Sequence, residues 1–125
     1  MPAAQLDRIR TYVEAGKPVV AIRTSSHAFA QRSGKAPEGR ALWQAFDADV
    51  LGGNYTGHHG SKQKTFAQFA PAAKDHPIIE GVTPEEFTVT SSLYKTSPVA
   101  KTATVLMTGR VESNDKHEPV AWTND

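Results

Sequence analysis

The 125-residue chain contains no cysteine, which removes disulfides, thiolate metal sites and thiol nucleophiles together and leaves the redox compartment open. It also lacks an excess of either charge. Fourteen Lys and Arg face thirteen Asp and Glu, a formal net charge of +1, too weak a field to gather nucleic acid or an anionic membrane. Neither partner is expected, and a ligand must be recognised locally. No apolar run approaches the roughly 20 residues that span a bilayer. The start at Met1 reads as a helix rather than a signal peptide, and the compartment stays undetermined. No repeat, low-complexity tract or linker divides the chain, so one domain with one core is expected at this length.

What is present reads as α/β. Leu6, Ile9 and Val13, with Tyr12 beside them, form the apolar stripe of an amphipathic helix that Gly16 ends. The run Val19-Val20-Ala21-Ile22 is short, apolar and β-branched, and it predicts a central parallel strand. Thr24, Ser25 and Ser26 turn off that strand, and His27 to Ala30 has the composition of a helix start. Ala41 to Phe46 predicts a short helix with Leu42, Trp43 and Phe46 inward. Further strands are expected at Thr65 to Ala72, Phe87 to Thr90, Ala103 to Thr108 and Pro119 to Thr123. Between Gly52 and Gly60 four glycines in nine residues predict a loop of unusual backbone geometry.

Five segments in order resemble a known family: Gly16 to His27, Leu51-Gly52-Gly53-Asn54-Tyr55, Asp75-His76-Pro77-Ile78, Ser91-Ser92-Leu93-Tyr94 and Pro119-Val120-Ala121-Trp122-Thr123. Together they resemble the ThuA-like (trehalose utilisation-like) domain, of the class I glutamine amidotransferase-like superfamily. The resemblance implies a flavodoxin-like parallel sheet with flanking helices. It also implies that residues 1–125 are a portion of the domain, which in the family begins with strands before the Leu6 helix and continues past Trp122 toward a Gly-His segment. An apolar face left uncovered by those pieces, and association into a homo-oligomer, would follow. The activity implied is the use of trehalose or an oxidised disaccharide, with a small carbohydrate as ligand; composition alone does not show it.

In class I amidotransferases the nucleophile occupies a sharp strand-to-helix turn flanked by small residues two positions away on either side. Ala21-Ile22-Arg23-Thr24-Ser25 has that pattern with Arg23 at its centre. A guanidinium cannot attack an amide, so the resemblance comes without glutaminase chemistry, but it can hold a carboxylate, phosphate or sugar oxygen in a fork of donors. The competing role is an ion pair that fixes the turn. Ser25 joins Arg23 as a candidate substrate contact, against the commoner use of Thr24, Ser25 and Ser26 as caps, and His27 is a candidate acid or base.

His58 and His59 are the other catalytic candidates, one expected at the site and one structural. No cysteine or nearby acid completes a metal set around them, so neither metal nor cofactor is expected, although a metal-dependent hydrolase or isomerase stays an alternative to a carbohydrate enzyme or a non-catalytic sugar-binding module. Asn54, Tyr55 and Tyr94 are candidate substrate contacts, offering polar atoms and aromatic faces, and Lys95 could add charge. His76 is expected to cap a turn before Pro77. Asn114 to His117 and Glu118 read as a solvated hairpin-like turn. If the sheet is parallel, Arg23 and the Asn54 to His59 loop should share one concavity at its carboxyl edge, with Tyr94 at the rim.

Overall fold

The computed structural model describes residues 1–30, 34–83 and 85–125, apart from the side chains of Thr24 and Ser26. Those two hydroxyls, and residues 31–33 of the polar stretch after Ala30, lie outside the described set. Two compact units make up the chain, Met1–Leu51 and Gly52–Asp125.

In the first unit the apolar stripe becomes helix α1, Ala3–Glu14, with Leu6 buried against Trp43 and Phe46. Phe29 stacks on Phe46 with centroids 3.7 Å apart, and Trp43 meets the edge of Phe46 at 5.4 Å. The Arg10 guanidinium lies over the Trp43 ring at 4.1 Å. Gly16, at φ +68°, ends the helix: its N–H donates to the Val13 carbonyl and that of Lys17 to Tyr12, a pairing that needs the left-handed backbone glycine tolerates. Ala41 to Phe46 is not the expected helix. A π-helical turn over Asp47–Leu51 follows it instead, while Trp43 and Phe46 point inward as their spacing suggests and Leu42 is half-buried.

The predicted parallel strand is also absent. Residues 19–22 pair with no strand, and Val19, Val20 and Ile22 are 42, 92 and 78% exposed. A buried strand requires neighbours on both edges, and among the described residues of this unit the only β-pairing is a single bridge from Pro2 to Arg40. Unpaired apolar extended chain is an association hazard. The double substitution Val20→Thr, Ile22→Thr is expected to shift the melting temperature by no more than about 2 °C, as surface changes do, and to reduce concentration-dependent light scattering. Unchanged scattering would show that this run drives no association.

The second unit is antiparallel. Strands β1 (Gly57–His58) and β4 (Tyr94–Lys95) form a two-stranded sheet; β2 (Thr65–Phe69), β3 (Phe87–Val89), β5 (Ala103–Val111) and β6 (Asn114–Asn124) form a four-stranded sheet in the order β3-β2-β5-β6. This corrects the expected flavodoxin-like parallel sheet with flanking helices: the described chain has one α-helix and only antiparallel strand pairs. Connection length explains part of the difference. Only Glu112 and Ser113 separate β5 from β6, whereas a parallel neighbour needs a crossover of about a dozen residues. The strand positions themselves agree with the pattern at Thr65, Phe87, Ala103 and Pro119. Asn114 to His117, read as a turn, lies within β6.

The sheet buries Thr65, Ala67, Leu106, Val111 and Glu118. Leu93, at the start of the β4 segment, packs onto Gly109 of β5, where a Cβ would come 3.0 Å from its Cδ1. The Thr65 hydroxyl donates to the Ser91 carbonyl at 2.9 Å and that of Thr96 to Pro119 at 2.6 Å, so the β4 segment is bound to the large sheet on both sides.

Candidate functional site

The glycine-rich loop builds its geometry from Gly52 onward. Gly52 has φ +67°, and Gly53 lies directly under the Trp122 ring, an approach that excludes a Cβ. The chain then enters β1, paired with β4 in the register Gly57 to Lys95 and His58 to Tyr94. The Thr56 N–H and hydroxyl both donate to the Lys95 carbonyl, at 3.0 and 3.1 Å.

That pairing brings three of the candidates together. The Tyr55 and Tyr94 rings lie 4.6 Å apart between centroids and are tilted by 54°. The Tyr55 hydroxyl hydrogen-bonds His58 Nδ1 at 3.0 Å. His58 is exposed and both tyrosines are half-buried, so two aromatic rings and an imidazole meet at the surface, with exposed Asn54 preceding them in the chain. Rigid rings with polar tips suit a ligand that has both C–H faces and hydroxyls.

His59 goes to a different partner. Its N–H donates to the Leu93 carbonyl at 2.8 Å, and its Nε2 is buried 3.6 Å from Glu118 Oε1 with no hydrogen bond of its own. Glu118 is 1% exposed. Its Oε2 accepts from the N–H groups of Thr96 and Ser97 at 3.2 and 3.0 Å, and Lys116 Nζ lies 3.3 Å from Oε1. Burial pushes this carboxyl up, but the hydrogen bonds from Ser97, Lys116 and Thr96 outweigh it and hold the group below its ordinary value. Glu118 is therefore a buried, ionised residue that the sequence placed in a solvated turn. The available signal was its position directly before the apolar run Pro119 to Trp122, where a strand's inward alternation can begin.

Arg23, Ser25 and His27 belong to the first unit, on a 3-10 turn over Arg23–Ala28 rather than at the start of an α-helix. Arg23 has φ +41°, the one non-glycine with positive φ among the described residues. Left-handed backbone costs an ordinary residue about 1–2 kcal/mol, and strain of this kind gathers at functional turns. The Ser25 hydroxyl donates to the Ile22 carbonyl at 2.7 Å and accepts from the Ile22 N–H at 3.0 Å, closing the turn. The Arg23 and His27 side chains are exposed. Among the described residues no parallel strand pair forms the edge that was to join Arg23 to the Asn54 to His59 loop, which removes the geometric ground for their convergence. His76 caps its turn as expected, Nδ1 accepting from the Ile78 N–H at 3.2 Å.

Among the described residues, no three His, Asp, Glu or Cys side chains gather as metal ligands, and no helix is long and apolar enough to cross a membrane. The family model for ThuA, described as trehalose utilisation, matches residues 1–125. No curated protein and no solved structure matches the chain.

Proposed function

The chain belongs to the ThuA family of trehalose utilisation, and from that premise we propose that it binds a disaccharide, trehalose or an oxidised derivative, on the face formed by Tyr55, His58 and Tyr94. The observation that carries this is the pair of tyrosine rings 4.6 Å apart with His58 bonded to one of them. A pyranose presents C–H groups to an aromatic face and hydroxyls around its rim. The tyrosine hydroxyls, the imidazole and Asn54 supply both donors and acceptors for that rim. Without a cysteine the domain works without thiol-based glutaminase chemistry. A catalytic reading, in which a histidine acts as acid or base on the sugar, is favoured by His59 lying beside the Glu118 carboxylate.

Titration calorimetry with trehalose and with its 3-keto derivative tests the binding face. Tyr94→Ala is expected to weaken binding about tenfold, the value of one aromatic contact of roughly 1–1.5 kcal/mol. Absence of binding by the wild-type chain, or equal affinity in Tyr94→Ala, would overturn the assignment.

A further inference from the structure

We propose that Glu118 fixes the tautomer of His59, holding the proton on Nε2 and leaving Nδ1 as a proton acceptor for a hydroxyl-bearing ligand. His59 Nε2 is buried, has no hydrogen-bond partner and lies 3.6 Å from Glu118 Oε1. In a desolvated setting, a bare ring nitrogen would set its lone pair against an ionised oxygen, whereas an N–H points a positive dipole at it. The separation exceeds a hydrogen bond by a few tenths of an ångström, a gap that a small ring rotation closes. Glu118 cannot turn away, because the Thr96 and Ser97 N–H groups grip its other oxygen.

Neutral imidazole carries one donor and one acceptor, so fixing the proton on Nε2 makes Nδ1 the acceptor. His58 uses its own Nδ1 in the bond with Tyr55. Two neighbouring histidines are thereby given different tasks: one braces an aromatic ring, and the other faces a carboxylate able to stabilise its charged form. When a ligand hydroxyl gives its proton to His59 Nδ1, the electron pair of the broken O–H bond stays on the ligand oxygen. The new imidazolium is then balanced by Glu118, while Lys116, 3.3 Å from the same carboxylate oxygen, competes for that charge. Glu118 is thus a positioning residue acting through His59. The inference rests on the proposed sugar-binding role only for the identity of the ligand.

Long-range proton–nitrogen NMR of the labelled full chain, at a pH of about 8.5 where imidazoles are neutral, tests it without any ligand. The wild type is expected to show His59 as a single tautomer protonated at Nε2, with a ring proton protected from exchange. Glu118→Gln, whose amide can present either an oxygen or an NH2 group to the ring, is expected to show a mixture and to lose that protection, with the Thr96 and Ser97 amide signals reporting the fold. Lys116→Met is expected to keep the single tautomer, separating the carboxylate's effect from the ammonium's. A wild-type ring protonated at Nδ1, an unchanged tautomer in a folded Glu118→Gln, or a mixture in Lys116→Met would overturn the inference. If Glu118→Gln fails to fold, the wild-type and Lys116→Met spectra can still overturn the inference. Failure of sugar binding in calorimetry would leave these spectra unaffected, so the two readings fail separately.

Discussion

Glu118→Ala is expected to lower the melting temperature at neutral pH by roughly 12–24 °C. The side chain is 1% exposed and its Oε2 receives two backbone N–H donors, from Thr96 and Ser97. A hydrogen bond to a charged group contributes about 1.5–3 kcal/mol, so losing two costs roughly 3–6 kcal/mol, at around 4 °C per kcal/mol for a chain of this size. Lys116 adds little to the sum because its side chain is 62% exposed and can return to water. The two amides, by contrast, would be left facing a cavity.

The same residue sets a pH dependence with a definite sign. The folded carboxyl is held below the ordinary value of 4.5, so the folded state binds its proton more weakly than the unfolded chain does. The stability it contributes is therefore fully present above the unfolded value and is lost as pH falls through the folded one. Thermal melts of the wild type and Glu118→Ala should differ most at neutral pH and converge in acid. A gap that stays constant down to a pH of about 2.5, well below ordinary carboxylates, would show that Glu118 acts through packing rather than charge.

Why Glu118 escaped the sequence, while Tyr55 and His58 did not, is a matter of range. Tyr55 and His58 stand three residues apart in a loop whose glycines announce close backbone approach, and their mutual hydrogen bond is local. Tyr94 was recognisable as a residue following a strand, but its contact with Tyr55 depends on the β1–β4 register, which spans distant parts of the chain. Glu118 follows four polar residues, and only the amides of Thr96 and Ser97, which reach it from 22 and 21 residues away in the sequence, turn it from a surface acid into a buried one. At Arg23 the small residues Ala21 and Ser25 flank a position that takes φ +41°, but the strand expected before it and the α-helix expected after it do not form.

The fold divides the same way. Alternation marked where Thr65–Phe69 and Phe87–Val89 lie, and a buried apolar character marked Ala103–Val111, because both are properties of the single strand. Strand direction is a property of pairs, and it was inferred from the apolar run at Val19 to Ile22, which in the structure pairs with nothing. Four consecutive apolar residues indicate what burial would favour without supplying the neighbour that accomplishes it.

Gly53→Ala is the substitution expected to disturb the candidate site most from outside it. A Cβ at Gly53 would lie 2.5 Å from Trp122 Cζ2, 3.1 Å from Cε2 and 3.2 Å from Cη2, where carbon contacts settle near 3.5–4.0 Å. Gly53 has no positive φ, so the cost is steric rather than conformational. The obstacle is a broad planar ring on β6, whose backbone is registered against Val105 of β5, and such a ring yields less readily than the tip of a long side chain. Overpacking of this kind costs about 1–3 kcal/mol, a fall in melting temperature of roughly 4–12 °C. The loop that begins at Gly53 carries Tyr55 and His58, so ring or loop must move and disaccharide affinity should fall along with stability. Gly60→Ala is the control, since a Cβ there meets only the flexible Gln63 amide, at 3.3 Å; it should melt within about 2 °C of the wild type, as surface changes do. Melting curves and calorimetric titration on both variants check the expectation. If Gly53→Ala behaved like Gly60→Ala in both measurements, the Trp122 ring would not be the surface that shapes the loop, and the positions of Tyr55 and His58 would have to be held by the β1–β4 pairing alone.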